Sequence, residues 1–237
     1  QRRSIEHGLR LALKEQTFLL RYQAVVDVKT NRIVGIEALL RCPFGKKQAV
    51  LPDVFMPIAE EIGLSIEMAE WMTQKAYAQF EKWYLAGFTD LFFSVNLTSN
   101  QLLNAETFDR MCDRMTKGQV PASQIVFDLR EQTLMQHELM ASQHLLMLAT
   151  LGFNVAIDDF GVGHSSLTRL AEMPISQLKI GRHQVKQMGS AHDASFVKSV
   201  MMLGDQFQWQ VIAKGVETRE SFQQVQQLGC RWVQGFY

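Results

Sequence analysis

The chain has 237 residues, 47% of them hydrophobic, enough for one large core in a single domain. Lys and Arg total 24, as do Asp and Glu, so the formal charge is zero and no basic field exists to draw nucleic acid or an anionic membrane. The three cysteines, Cys42, Cys112 and Cys230, lie far apart without a CxxC spacing, which argues against a disulfide framework or zinc site and fits a reducing cytoplasm; no apolar stretch approaches the roughly 18 residues of a membrane span, and the N-terminus has no signal-peptide core.

Ile5, Leu9 and Leu13 recur at helical spacing behind Ser4, a good N-cap, so an amphipathic helix opens the chain. Residues 17–28 and 33–41 read as strands joined across Thr30, Asn31 and Arg32, close enough for a hairpin, which makes the first strand antiparallel to the second. Strand and helix then alternate. A helix over 65–86 closes at Gly87, a strand covers 91–96, helices lie around 99–117, and a strand covers 124–129. A helix over 136–150 precedes Gly152, followed by a strand over 154–158, a short helix from Ser166 and a strand over 176–180. A helix over 193–206, a strand over 210–214, a helix over 219–228 before Gly229 and a strand over 231–236 complete the series. Such alternation implies parallel strands with helical crossovers. The expected fold is α/β, a TIM-like (β/α)8 barrel with an antiparallel first strand; an open doubly wound sheet is the alternative.

The strand runs end in polar residues: Gln23, Glu37, Asn96, Asp128, Asp158 with Asp159, Lys179, Lys214 and Gln234. Residues contributed from the ends of many strands are what a parallel barrel presents at its C-terminal mouth, so the pattern locates a site before it names a chemistry. With no net charge, an anionic ligand must be met by that local site. His144 and His183 have no metal-ligand spacing, and the Met-rich runs at 112–115, 145–147 and 201–202 read as helix core.

Six strings occur in order along the whole chain: Glu37-Ala38-Leu39 within GIEALLR, SVNL at 94–97, DDFGVGHSSL at 158–167, LKI at 178–180, KGVET at 214–218 and VQGFY at 233–237. Together they resemble the EAL family, which hydrolyses cyclic di-GMP to a linear dinucleotide. The resemblance implies a modified eight-stranded barrel with an antiparallel first strand, in agreement with the hairpin above. It implies one EAL domain over 1–237, excised from a longer multidomain signalling protein, since the chain starts at Gln1 rather than Met. Residues 1–16 would then be a helix connecting to an upstream cyclase-like or sensory domain. A homodimer through faces near 130–140 and 160–170 is a further implication, as is a cytoplasmic location even where the parent protein is membrane-anchored.

Phosphodiester hydrolysis needs a water in line with phosphorus and neutralisation of developing charge, which two divalent ions supply. Hard ions such as Mg²⁺ take oxygen ligands. The resemblance puts Glu37, Asn96, Asp128 and Asp158 at the metal positions, with Mg²⁺ or Mn²⁺ as the ion. Where the family has E-(I/L)-T-E this chain reads Asp128-Leu129-Arg130-Glu131, so the ligand at Asp128 is one methylene, roughly 1.5 Å, shorter. Asp159 matches a second-ion residue, Lys179 a catalytic-group lysine, and Glu131 the anchor of a mobile loop. That loop reads Asp159-Phe160-Gly161-Val162-Gly163-His164, and His164 in place of the usual tyrosine reads as packing rather than as a base. Gln23, Leu39, Arg41, Glu217 and Gln234 match contacts to the nucleotide's bases and phosphates, Arg41 through its planar fork. Ala24 for the proline of YQP and Cys42 for the tryptophan of LLRW loosen that rim.

Two departures weigh against catalysis. K-I-D of the family is Lys179-Ile180-Gly181 here, and E-G-V-E-T is Lys214-Gly215-Val216-Glu217-Thr218, so a carboxylate is lost and another becomes an ammonium. A second dication at about 4 Å from one lysine is opposed by on the order of 8 kcal/mol before screening. At most one metal site is therefore expected, with Lys214 in the place of the second cation; the bland alternative has Lys214 pointing to solvent. Three functions stay open: a receptor that binds cyclic di-GMP without turnover, an active phosphodiesterase with a rearranged second site, and a protein-interaction module that has lost the nucleotide.

Overall fold

The computed structural model describes residues 2–44, 48–162, 167–188 and 191–236. Helix α1 (Arg2–Lys14) buries Ile5, Leu9 and Ala12 along one stripe. Strands β1 (Leu19–Asp27) and β2 (Arg32–Phe44) form the expected hairpin, with Asn31 left-handed at φ +53° in its turn. A short β3 (Gln48–Val50) pairs with the far end of β2, and α2 (Pro52–Glu61) and α3 (Ser65–Leu85) follow. The chain continues through β4 (Phe92–Leu97), α4 (Ser99–Leu103), α5 (Ala105–Thr116), β5 (Ile125–Arg130), α6 (Glu131–Gln136) and α7 (Glu138–Thr150). Then come β6 (Asn154–Phe160), α8 (Leu167–Ala171), β7 (Gln177–Ile180), α9 (Arg182–Lys186), α10 (Ala191–Phe207), β8 (Gln210–Val216), α11 (Arg219–Gln227) and β9 (Trp232–Gly235).

The strands run in the order β1-β9-β8-β7-β6-β5-β4-β2, and β1 pairs back onto β2, which closes an eight-stranded barrel. β1 is antiparallel to both neighbours and the remaining barrel pairings are parallel. β7 is buried at every position and β5 at all but its last, as strands covered by helices outside and filled by side chains inside must be. The main core fills the shell between barrel and helices, where Phe55, Phe80, Phe93, Phe108 and Phe127 are fully buried. Tyr22 packs on Trp83 at 4.7 Å between ring centroids and Phe80 on Phe93 at 4.6 Å, which locks α3 against β1 and β4.

Several sequence expectations need correction. The helix expected over 136–150 is α7, and a separate short helix, α6, precedes it, the two divided at His137, whose φ −131° and ψ 36° are not helical. Gln23 does not end a strand: it sits inside β1, opposite Glu37, and Glu37 itself lies inside β2, which runs past the barrel rim to Phe44. Met147 and Met202 are 37% and 65% exposed, so only part of each Met-rich run is core; Met115 is buried. Among the described residues no helix is long and apolar enough to cross a membrane.

Candidate functional site

Alternate residues of a strand face the same side, so Ser94 and Asn96 of β4 both project into the barrel, beside Glu37 of β2 and Asp128 of β5 in the parallel register. Lys179 of β7, fully buried, reaches across this interior. Its Nζ donates to Asp128 Oδ2 at 2.5 Å, to Ser94 Oγ at 3.1 Å and to Glu37 Oε2 at 3.3 Å. Ser94 Oγ donates to Asp128 Oδ2 at 2.5 Å, Gln234 Nε2 of β9 to Glu37 Oε2 at 2.8 Å, and Asn96 Nδ2 to Glu37 Oε1 at 3.4 Å. One ammonium thus ties the strands together, and a charge so deeply buried persists only because it is paired and hydrogen-bonded. Asp128 Oδ1 and Gln234 Oε1 are buried without a hydrogen-bond partner.

The two carboxyls of this network are pushed apart. Burial raises the Glu37 carboxyl, but Lys179 and then Lys214 outweigh it and hold the group at about 2. Burial also raises Asp128, and the carboxylates of Glu37 and Asp158 reinforce the effect, so it reaches about 7 despite Lys179. Burial disfavours the Lys179 ammonium, but Asp128 and Glu37 keep it charged and raise it.

A second cluster occupies the other side of the mouth. Asp159 takes a left-handed φ of +52°, which departs from strand alternation and lets it and Asp158 meet the same group. That group is Lys214, whose Nζ donates to Asp158 Oδ1 at 2.6 Å and Oδ2 at 2.8 Å and lies 3.8 Å from Asp159 Oδ1. With its side chain only 20% exposed, Lys214 is turned into the mouth and not toward solvent. Burial works against its ammonium, yet Asp158 and Glu37 raise it strongly. Beside this cluster Gly181 leaves room that Gln184 of α9 fills: a Cβ at 181 would stand 2.7 Å from Gln184 Oε1 and 3.4 Å from Asp159 Oδ1.

Glu131, buried at the start of α6, accepts the Gly161 N–H at 2.9 Å and so pins the chain just after β6. Farther out, Arg41 donates to the Leu40 carbonyl at 2.8 Å, and Leu39 and Gln23 are half-buried on facing strands. Glu217 pairs with Arg182 at 2.7 Å and Lys186 at 3.1 Å, both on α9. The structure therefore gathers Glu37, Asn96, Asp128, Lys179 and Gln234 in one network and Asp158, Asp159 and Lys214 in another. Arg41, Leu39, Gln23 and Glu217 stand outside these two sets, apart from the pairing of Gln23 with Glu37 across the β1–β2 ladder. Gly163 and His164 lie outside the described residues. Ser94 and Gln184 escaped the sequence reading; Ser94 was detectable as a small polar residue two positions before Asn96, on the same strand face.

Comparison with known proteins agrees with this layout. A model of the EAL domain matches residues 6–237. MucR of Pseudomonas aeruginosa, a bifunctional diguanylate cyclase/cyclic di-GMP phosphodiesterase, is 32% identical over 231 residues, covering 97% of this chain and 34% of that protein. The chain spans about a third of the length of the curated relatives it matches. Among solved structures, the PaMucR phosphodiesterase in complex with c-di-GMP superposes with a TM-score of 0.91 at 31% identity, covering 98% of this chain and 94% of that one. The EAL enzyme Bd1971 in its cAMP- and cyclic-di-GMP-bound form superposes with a TM-score of 0.90 at 28% identity, over 99% of this chain and 65% of that one. The closed barrel with its antiparallel first strand, the order of the six strings along the chain and these matches lead to one assignment: the chain belongs to the EAL domain family.

Proposed function

We propose that this chain is a degenerate EAL domain that binds cyclic di-GMP as a receptor or regulatory module, with hydrolysis absent or very weak. The observation that carries the reading is the clasp of Lys214 on both oxygens of Asp158. A dication at that position would have to displace an ammonium that is already paired, and Gly181 offers no carboxylate to hold it. Glu37, Asp158 and Asp159, with Asp128 part-protonated near neutral pH, face the two ammoniums of Lys179 and Lys214, so the mouth keeps a net negative charge that one dication would complement.

The first-ion side does fit a metal. Glu37, Asn96 and Asp128 offer oxygen donors on adjacent strands, and the partnerless Asp128 Oδ1 lacks a cation or donor. Among the described residues no three His, Cys, Asp or Glu side chains converge on one metal position, so the Asn96 amide is needed as the third donor. Mg²⁺ or Mn²⁺ held there would polarise a phosphoryl oxygen and anchor the ligand. Lys214 sets a second positive charge near the same phosphate, where it attracts charge without generating hydroxide. Arg41 takes the other phosphate as a planar fork, while Gln23, Leu39, Glu217 and Gln234 meet the bases. Lys179 and Glu131 keep their positioning roles, one holding Glu37 and Asp128, the other the segment after Asp159.

A homodimer in the cytoplasm, joined to an upstream domain, is part of the same proposal. The exposed Leu139, Met140, Leu146 and Met147 of α7, with Val162 nearby in sequence to the Glu131-anchored segment, supply an apolar face for a second copy. The test is a calorimetric titration with cyclic di-GMP in Mg²⁺ buffer, with the products analysed afterwards. Saturating heat that returns to baseline with intact nucleotide is expected. Continuing heat with linear dinucleotide would mean a phosphodiesterase, and silence would mean an interaction module.

A further inference from the structure

Helix α9 went unread in the sequence, yet it lies directly on the turn that follows Lys214. Gly215 has φ +74°, and a Cβ there would stand 2.3 Å from the Cγ of Arg182, so only glycine lets Arg182 lie across the turn. From that seat Arg182 Nη2 reaches Glu217 Oε1 at 2.7 Å, and one helical turn on, Lys186 Nζ reaches Glu217 Oε2 at 3.1 Å. Each carboxylate oxygen therefore has its own cation, one from each end of the helix. Glu217 is 25% exposed while Arg182 and Lys186 are 58% and 49% exposed, so the carboxylate is seated and the cations hold it from outside.

We infer that Arg182 and Lys186 are positioning residues that fix the Glu217 carboxylate as a paired acceptor for the guanine edge of the bound dinucleotide. The inference rests on the receptor reading above. A carboxylate has about four lone-pair sites, so two cations leave two acceptors free. Guanine presents two adjacent N–H donors, N1–H and the exocyclic amine, to such a pair. Adenine has an acceptor at N1 and no amine at C2, and would leave the carboxylate unpaired. A free glutamate must lose side-chain rotamer freedom on binding, whereas one clamped at both oxygens has already lost it. Isolated exposed ion pairs add little stability, so the use of this clamp is orientation rather than fold strength.

The test is binding of cyclic di-GMP and cyclic di-AMP to the wild-type chain, to R182A/K186A, to R182K/K186R, and to each of these with E217Q. R182A/K186A is expected to weaken cyclic di-GMP binding about three- to tenfold, the cost of immobilising one flexible side chain. It should also narrow the preference over cyclic di-AMP, while R182K/K186R restores both. In the E217Q background the same removal should change nothing. An equal loss in that background would overturn the inference and make the two cations independent phosphate contacts; unchanged affinity and preference in R182A/K186A would overturn it as well. Wild-type protein that binds neither dinucleotide would overturn the receptor reading together with this one, and is distinguishable because the variants are then silent too.

Discussion

Lys214 and Asp158, 56 residues apart, are joined by two hydrogen bonds of 2.6 and 2.8 Å from one ammonium to both oxygens of one carboxylate. Removing the ammonium leaves Asp158 and Asp159 facing each other's charge in a half-closed mouth. Lys214→Met is expected to lower stability by about 2 kcal/mol, less than a fully buried pair loses, as measured by urea denaturation. Mg²⁺ should recover part of that loss in the variant and add less to the wild type, because only the variant frees the second cation position that Lys214 fills.

Lys179 is the more costly residue to change. Its side chain is 0% exposed and it pairs directly with both Glu37 and Asp128 across the barrel. Lys179→Met should destabilise by about 3–5 kcal/mol, the range for stripping one partner from a buried ion pair. Adding Asp128→Asn should return a good part of it, since the amide leaves no uncompensated charge at Oδ2. A double-mutant cycle in urea that shows simple additivity would refute the coupling.

The acid–base behaviour of stability follows from the same two carboxyls. Asp128 is raised to about 7, so the folded state holds its proton more tightly than the unfolded chain. Its stabilising contribution is complete below the ordinary aspartate range near pH 4 and is lost as pH rises through about 7. Glu37, lowered to about 2, behaves oppositely: its contribution is present above the ordinary glutamate range and is lost as pH falls through about 2. Between pH 5 and 8, unfolding midpoints should therefore decline for the wild type and decline less for Asp128→Asn. Parallel profiles for the two proteins would rule Asp128 out as the source.

Lys214→Glu with Gly181→Asp restores the two lost carboxylates. The new Cβ at 181 must move Gln184 Oε1, 2.7 Å away, which is the end of a flexible side chain and can yield. Hydrolysis of cyclic di-GMP should appear in the pair of substitutions and not in Gly181→Asp alone. If no product forms and affinity is unchanged, Lys214 is not a substituted cation.

The hairpin, the strand and helix alternation and the closed barrel were legible because the repeating unit is long and its turns carry Gly and Asn. What escaped was short or disguised. Five-residue α9 has no room for a helical period, and α2 begins at Pro52 and contains Pro57, a residue that ordinarily interrupts a helix. Strand limits were blurred for Gln23 and Glu37, since a run of apolar residues does not say where pairing stops. The residue types of the mouth could be read, but not their pairings. Nothing local to Lys179 indicates that its partner Glu37 is 142 residues away, and nothing local to Lys214 says whether it faces Asp158 or water. Those are properties of barrel closure, which brings strands from both ends of the chain to one layer.

The most direct measurement is a Mn²⁺ titration of the wild-type chain, followed by electron paramagnetic resonance in the presence of cyclic di-GMP, beside Lys214→Glu/Gly181→Asp. One ion per chain in the wild type and two coupled ions in the variant is the predicted result. Two coupled ions in the wild type would show that Lys214 yields its place to a metal, and would contradict the account.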